Sequence, residues 1–195
     1  MKGFPAASQA VYDAAVQGDF AHVKELVATG AELNVTGRFG DTLLQEIVSS
    51  LLIESPAPFR VAMTRLLIEL GADPNYLGED RHSALVPAGL AMDMDLLQLL
   101  LEAGADPNGV GGFGEEEIFY DWAEFDYRYM TWMVNNPEVD SIYPPEEPSE
   151  TDKASEDAWL TWLDRMAIKY GVRRPDHLFL LRRYGAKTAQ ELGQA

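Results

Sequence analysis

Cysteine is absent from the 195 residues. That excludes a disulfide scaffold and a thiolate metal site, and it permits a reducing compartment without proving one. Histidine is scarce. His22, His82 and His177 lie far apart, and none has a second histidine or a carboxylate at a metal-ligand spacing that stands out. Long apolar runs are missing too, since nothing approaches the ~20 residues of a membrane span. The opening "MKGFPAASQAVYDAAVQGDF" lacks the ~7–15-residue apolar run of a signal peptide and carries Asp13 and Asp19. The expectation is a cytoplasmic protein without metal, cofactor or membrane contact. Basic residues are also few: 15 Lys and Arg stand against 32 Asp and Glu, a net charge of −17. Such a surface repels nucleic acid and anionic lipid and attracts basic partners. Simple solubility is the other reading of the same charge.

What is present is one phrase used repeatedly. It has the form Leu-Leu-x-x-Gly-Ala-(Asp/Glu)-x-Asn and occurs as "LVATGAELN" (26–34), "LIELGADPN" (67–75) and "LLEAGADPN" (100–108), with a worn copy, "LRRYGAK", at 181–187. Its glycines are Gly30, Gly71, Gly104 and Gly185, separated by 41, 33 and 81 residues. The period is 33, and the other intervals contain inserts. The leucines read as the buried end of a helix, and the glycine follows where the backbone needs positive φ. Asp-Pro-Asn turns the chain, because proline cannot continue the helix. A shorter helix precedes each phrase: "VYDAAVQGD" (11–19), "DTLLQEIVSS" (41–50) with Thr42 as N-cap, and "HSALVPAGLAMD" (82–93) with Ser83 in that role and Pro87 in the first turn.

These residues resemble the ankyrin repeat, and "AAVQGDFAHVKELVATGAELN" is a close match to it. "TLLQEIV" and "SALVPAG" are degenerate against the family's Thr-Pro-Leu-His helix. The resemblance implies an all-α ankyrin-repeat solenoid of about four helix-pair repeats in a single domain. The repeats fall at about 8–36, 37–77, 78–110 and 111–188.

Two segments depart from that pattern. Pro56 and Pro58 in "ESPAPFRV" (54–61) predict a short rigid bulge between the helices of repeat two. The last repeat is split by an insertion at about 135–171. "IFYDWAEFDYRYMTWMV" (118–134) reads as its first helix, and 135–157 as an extended, Pro- and acid-rich loop without apolar anchors. "SEDAWLTWLDRMAIKYG" (155–171) reads as a helix started by Ser155 and stopped by Gly171, with Trp159, Leu163 and Met166 as its apolar stripe and Trp162 beside it. Residues 113–157 hold fourteen Asp and Glu against two basic residues, a net of −12. Seven aromatics, from Phe119 to Trp132, lie among them. Helical spacing puts about half of these in the core and leaves the rest on an acidic surface.

No enzyme is expected. "GVGGFGEEE" (109–117) lacks the Gly-Lys-Ser/Thr of a phosphate loop, and no carboxylate pair is singled out by an apolar setting. His177 reads as a helix-start cap beside Asp176. The function class is protein binding by a chain that is monomeric when free. The ankyrin resemblance places the partner-binding residues on hairpin tips and exposed first-helix positions. These are Arg38, Phe39 and Asp41, then Glu79, Asp80 and His82, then Glu115, Glu116, Glu117, Phe125 and Asp126, with Val16, Gln17, Ser49 and Ser50 beside them. A small acidic ankyrin-like protein further implies an immunity or antitoxin protein covering the active site of a basic toxin, such as a nuclease. A scaffold or adaptor for a cellular or host protein is the alternative, and an enzyme with a carboxylate site in the insertion is the third.

Overall fold

The computed structural model describes residues 3–79, 81–111, 117–135 and 141–194. Among them the chain is mostly helical, and strand pairing is limited to two isolated bridges, Thr36 with Thr42 and Val110 with Ile118. The helices are α1 (Ala6–Gln17), α2 (Phe20–Ala28), α3 (Leu43–Glu54), α4 (Ala57–Glu69), α5 (Leu85–Leu90), α6 (Met94–Glu102), α7 (Phe119–Arg128), α8 (Glu156–Tyr170) and α9 (Asp176–Arg183). A π-helical turn, Tyr129–Val134, extends α7.

Packing follows two rows. Helices α1, α3, α5 and α7 pack in sequence along one side. Along the other, α4 packs on α6 and α6 on α9. The repeated phrase explains why. Gly30, Gly71, Gly104 and Gly185 all take positive φ, at 103°, 105°, 91° and 91°. After each, the next residue's N–H reaches back five residues to a leucine carbonyl: Ala31 to Leu26, Ala72 to Leu67, Ala105 to Leu100 and Ala186 to Leu181, at 2.9–3.0 Å. That is a Schellman closure, and the alanines are buried as its small contact residue. The worn C-terminal copy therefore makes the same turn as the full ones.

The asparagines do more than turn the chain. The Asn34 amide donates to the Gly71 carbonyl (3.2 Å) and accepts from the Asp73 N–H (2.8 Å). Asn75 does the same to Gly104 (2.8 Å) and Asp106 (2.7 Å). Asn108 does it to Gly185 (3.1 Å) and Lys187 (2.8 Å), across 77 residues of chain. Each turn is thus stitched to the next, and the insertion is bridged.

Several expectations change. The prolines of 54–61 make no bulge: α3 runs to Glu54, and Pro56 caps α4 from Ala57, so the extra residues lengthen two helices. Proline suits a helix start because its missing N–H has no helical partner there. Thr42 caps α3 through a reciprocal capping box with Gln45. Ser83 accepts from the Leu85 N–H, at 3.3 Å, and α5 starts after Ala84 with no side-chain cap. Ser155 and Gly171 bound α8 as read, but its buried face is Leu160, Trp162, Leu163, Met166 and Ala167, with Trp159 half-buried.

The acidic loop has anchors. The Tyr143 ring lies 4.6 Å from the Arg128 guanidinium and 6.5 Å from the Trp159 ring. Glu146 accepts from Lys169 and from the Tyr170 hydroxyl, and Asp152 from Arg165. Residues 136–140 lie outside the described residues.

His177 is no cap. It is 2% exposed, on the first turn of α9 where that helix packs on α7, with its ring 5.6 Å from Tyr127 and bonded to the Ala123 backbone. Burial and the Arg173 charge lower its pKa to about 3, so the core holds it neutral.

Candidate functional site

Backbone bonds close the hairpin tips: Gly37 N–H to Asp41 (2.9 Å), Gly78 N–H to His82 (3.3 Å) and Gly111 N–H to Glu117 (3.0 Å). The first two tips touch, since the Glu79 N–H donates to the Gly40 carbonyl at 2.8 Å. Arg38, Phe39 and Glu79 are exposed there, Asp41 and His82 half-buried. The Arg38 guanidinium sits 4.7 Å over the Phe39 ring, which is itself 67% exposed. Asp80, Glu115 and Glu116 lie outside the described residues. Along the first helices, Gln17 is exposed and Val16 and Ser49 half-buried. Ser50 is engaged with the Tyr12 hydroxyl, at 2.9 Å, and links α3 to α1.

The fourth unit carries a different surface. Of the seven aromatics from Phe119 to Trp132, four are fully buried: Phe119, Tyr120, Tyr127 and Trp132. Close docking of α7 requires the glycines opposite. A Cβ on Gly111 would lie 2.6 Å from the Phe119 Cα, and one on Gly89 2.3 Å from its ring. The other three form a ladder on the outer face: Trp122 stacks on Phe125 (5.4 Å, 22°) and Phe125 on Tyr129 (6.3 Å, 12°). The spacing of three and four residues puts all three rings on one side of the helix. Met130, Met133 and Val134 continue the exposed apolar surface along the π-helical turn. A cleft of roughly 430 Å³ opens at the ladder's first rings, lined by Glu117, Ile118, Asp121, Trp122, Phe125 and Ala189. Glu117 and Phe125 therefore meet there, joined by Asp121 and Trp122, which the sequence did not single out. Asp126 is half-buried on the same helix, and burial raises its pKa.

Positive charge near this face is already committed. Arg128 grips Glu124 with two bonds, at 2.6 and 2.9 Å, and the same carboxylate accepts from the Trp159 indole at 2.8 Å. Arg182 holds Glu191 (2.5 and 3.0 Å) and Asp157 (3.1 Å). Asp121 differs: it accepts the Ala189 N–H at 2.8 Å, and among the described residues no cation pairs with it. Burial raises its pKa, and the Glu124 and Glu191 charges add to that.

Asp121 also lines a second, larger cleft, of roughly 780 Å³, with Glu156, Trp159, Lys153 and Glu191. Burial raises the Glu156 pKa to about 7, opposed by the hydrogen bond from Tyr120 and the Arg182 charge. No local signal marks this carboxylate, because its buried setting is made by residues distant in the chain. The Tyr120 hydroxyl donates to Glu156 at 2.9 Å, so that carboxyl is tied to the core at the start of α8. Among the described residues, no group of three or more His, Asp or Glu could hold a metal ion, and no helix is long and apolar enough to cross a membrane. No family model matches the chain, and no curated protein matches it.

Proposed function

We propose that this chain is an ankyrin-type repeat array that binds a basic protein, using the hairpin tips and above all the outer face of α7. The observation that carries the reading is the stacked Trp122–Phe125–Tyr129 ladder, left on the surface within the most acidic part of the chain. Exposed, rigid aromatic anchors supply contact area at little entropic cost, and interface hot spots favour them. The recurring Gly turns and the asparagine stitching support the repeat reading. The ankyrin resemblance supports an immunity protein that neutralises a basic toxin, and a scaffold or adaptor is the alternative. No catalytic role is proposed for the carboxylates.

Affinity capture from the native cell, washed at rising salt, tests the reading. The expected result is a basic protein retained at low salt, released progressively as salt rises, and lost with Phe125→Ala. A retained partner that is acidic, or indifferent to Phe125→Ala, contradicts it. Relief of a toxic partner on co-expression separates immunity from adaptor function.

A further inference from the structure

The start of α8 and the rest of that helix are held in different ways. α8 belongs to neither row of helices. From Leu160 onward it is held by apolar burial, through Leu160, Trp162, Leu163, Met166 and Ala167. Its first turn is tied to α7 and α9 by polar bonds. Glu156 accepts from the Tyr120 hydroxyl (2.9 Å), the Trp159 indole donates to Glu124 (2.8 Å), and Asp157 accepts from Arg182 (3.1 Å). Each of these bonds ends on a carboxyl group.

Around that turn the carboxylates outnumber the cations. Arg128 is committed to Glu124, Arg182 to Glu191 and Asp157, and Lys153 to Glu150. Among the described residues, Asp121 and Glu156 are left with neutral donors, the Ala189 N–H and the Tyr120 hydroxyl. One stands on α7 and the other on α8, and both line the same cleft. When both are ionised, the two helices face each other with like charges, opposed by an Arg182 guanidinium already shared between two other carboxylates. Asp157 supplies the negative charge that a helix start favours, so the helix dipole does not require Glu156 to be ionised.

We propose that the first turn of α8 is a pH-operated latch: it is closed on α7 while Glu156 carries a proton, and it opens, with Trp159, once Glu156 ionises beside Asp121 and Glu124. Burial, with the Glu124 and Asp121 charges, raises the Glu156 pKa to about 7 against the opposing Tyr120 bond and Arg182 charge. The closing contribution is therefore present below the ordinary 4.5 and lost as pH rises through 7. Trp159 lines both the cleft of roughly 780 Å³ and another of roughly 560 Å³ formed with Tyr143, Pro144 and Pro148. Opening recasts both, so the surface offered by the insertion differs on the two sides of neutrality. The device goes beyond the protein-binding reading and does not depend on it.

Nuclear magnetic resonance of the ¹³C,¹⁵N-labelled chain, from about pH 5.5 to 8.5, tests it. The Glu156 carboxyl shift should titrate near 7. Through the same midpoint the Ala158 and Trp159 amides, whose bonds to Ser155 close the first turn, should lose about ten-fold in protection from hydrogen exchange, corrected for the intrinsic rate at each pH. Trp162 to Ala167 should keep theirs. Glu156→Gln should stay closed at every pH. Asp121→Asn, which keeps an acceptor for Ala189, should move the midpoint down, and Tyr120→Phe, which removes the donor to the ionised carboxylate, should move it up. A carboxyl that titrates at the ordinary 4.5, protection that stays flat while Glu156 titrates, a fall that Glu156→Gln does not abolish, or a fall that extends through Ala167 overturns the proposal. If Glu156→Gln or Tyr120→Phe does not fold, Asp121→Asn decides it, and an unmoved midpoint there overturns the latch.

Discussion

The turn after α6 and the turn after α9 make the same hydrogen bonds: Ala105 to Leu100 and Ala186 to Leu181, both 3.0 Å, around glycines with the same φ of 91°. The surfaces in front of those turns have little in common. The short tips closed by Gly37 with Asp41 and by Gly78 with His82 touch each other through Glu79 and Gly40. The fourth unit has a 15-residue insertion helix, three stacked rings on its outer face and a net charge of −12 over 113–157. Backbone geometry is what repeats, because stacking depends on it. Surface chemistry does not repeat, and the candidate site lies where the chain departs from its own pattern.

That contrast can be broken most severely at Trp132, which is fully buried and packs edge-on against Tyr170 at 5.9 Å. Trp132→Ala should cost about 3–5 kcal/mol of local stability. Hydrogen exchange should then show α7 and α8 loosened while α3 to α6 stay protected. Equal loss of protection throughout would mean that the two regions form one cooperative unit.

A smaller effect sharpens the likeness instead. Gly104 and Gly185 have positive φ and open space around the missing Cβ, so only backbone strain opposes a larger residue. Gly104→Val and Gly185→Val should each cost about 2 kcal/mol. Denaturant midpoints that differ widely between them would show that the two turns are not equivalent. The stitching is weaker still. Asn108→Ala removes two exposed bonds and should cost about 1 kcal/mol, with faster exchange in α9 and none in α4. Unchanged exchange in α9 would mean that the insertion is bridged by packing alone.

A further effect is pH-dependent and, among the described residues, belongs to the fourth unit. His177 has its pKa lowered from 6.5 to about 3, so its contribution to stability is present above 6.5 and lost as pH falls toward 3. Glu156 is raised from 4.5 to about 7, so its contribution is present below 4.5 and lost as pH rises through 7. The two slopes oppose each other between 4.5 and 6.5. Glu156→Gln removes one of them, so its stability relative to the unchanged protein should rise from pH 4.5 to 7. A difference that stays constant over that range would show that Glu156 titrates normally.

Sequence legibility follows the same division. Signals that act within one turn of helix were readable: the glycines at positive φ, the Thr42 box, the Ser155 start and the Gly171 stop. So was the sharing of aromatics between core and surface, because helical spacing decides it. Effects that join distant residues were not. Asn108 reads as a turn residue until Gly185 is beside it, although its recurrence with Asn34 and Asn75 was a usable signal. His177 reads as a cap until α7 covers it. The prolines at 56 and 58 read as a bulge because the length of α4 depends on what it packs against. In the candidate site, Phe125 and Glu117 were legible, whereas Asp121 and Trp122 gain meaning only from the cleft they share.

The central claim is that the outer face of α7 is the binding surface. Surface plasmon resonance of the captured basic partner on the unchanged protein, Phe125→Ala and Phe39→Ala, at low and high salt, tests it most directly. Phe125→Ala should leave the melting temperature nearly unchanged and speed dissociation, at a cost of about 2 kcal/mol, whereas salt should mainly slow association. Phe39→Ala should cost less, since its ring stands at a hairpin tip away from the ladder. Unaltered kinetics for Phe125→Ala at both salts would contradict the account and move the interface off α7.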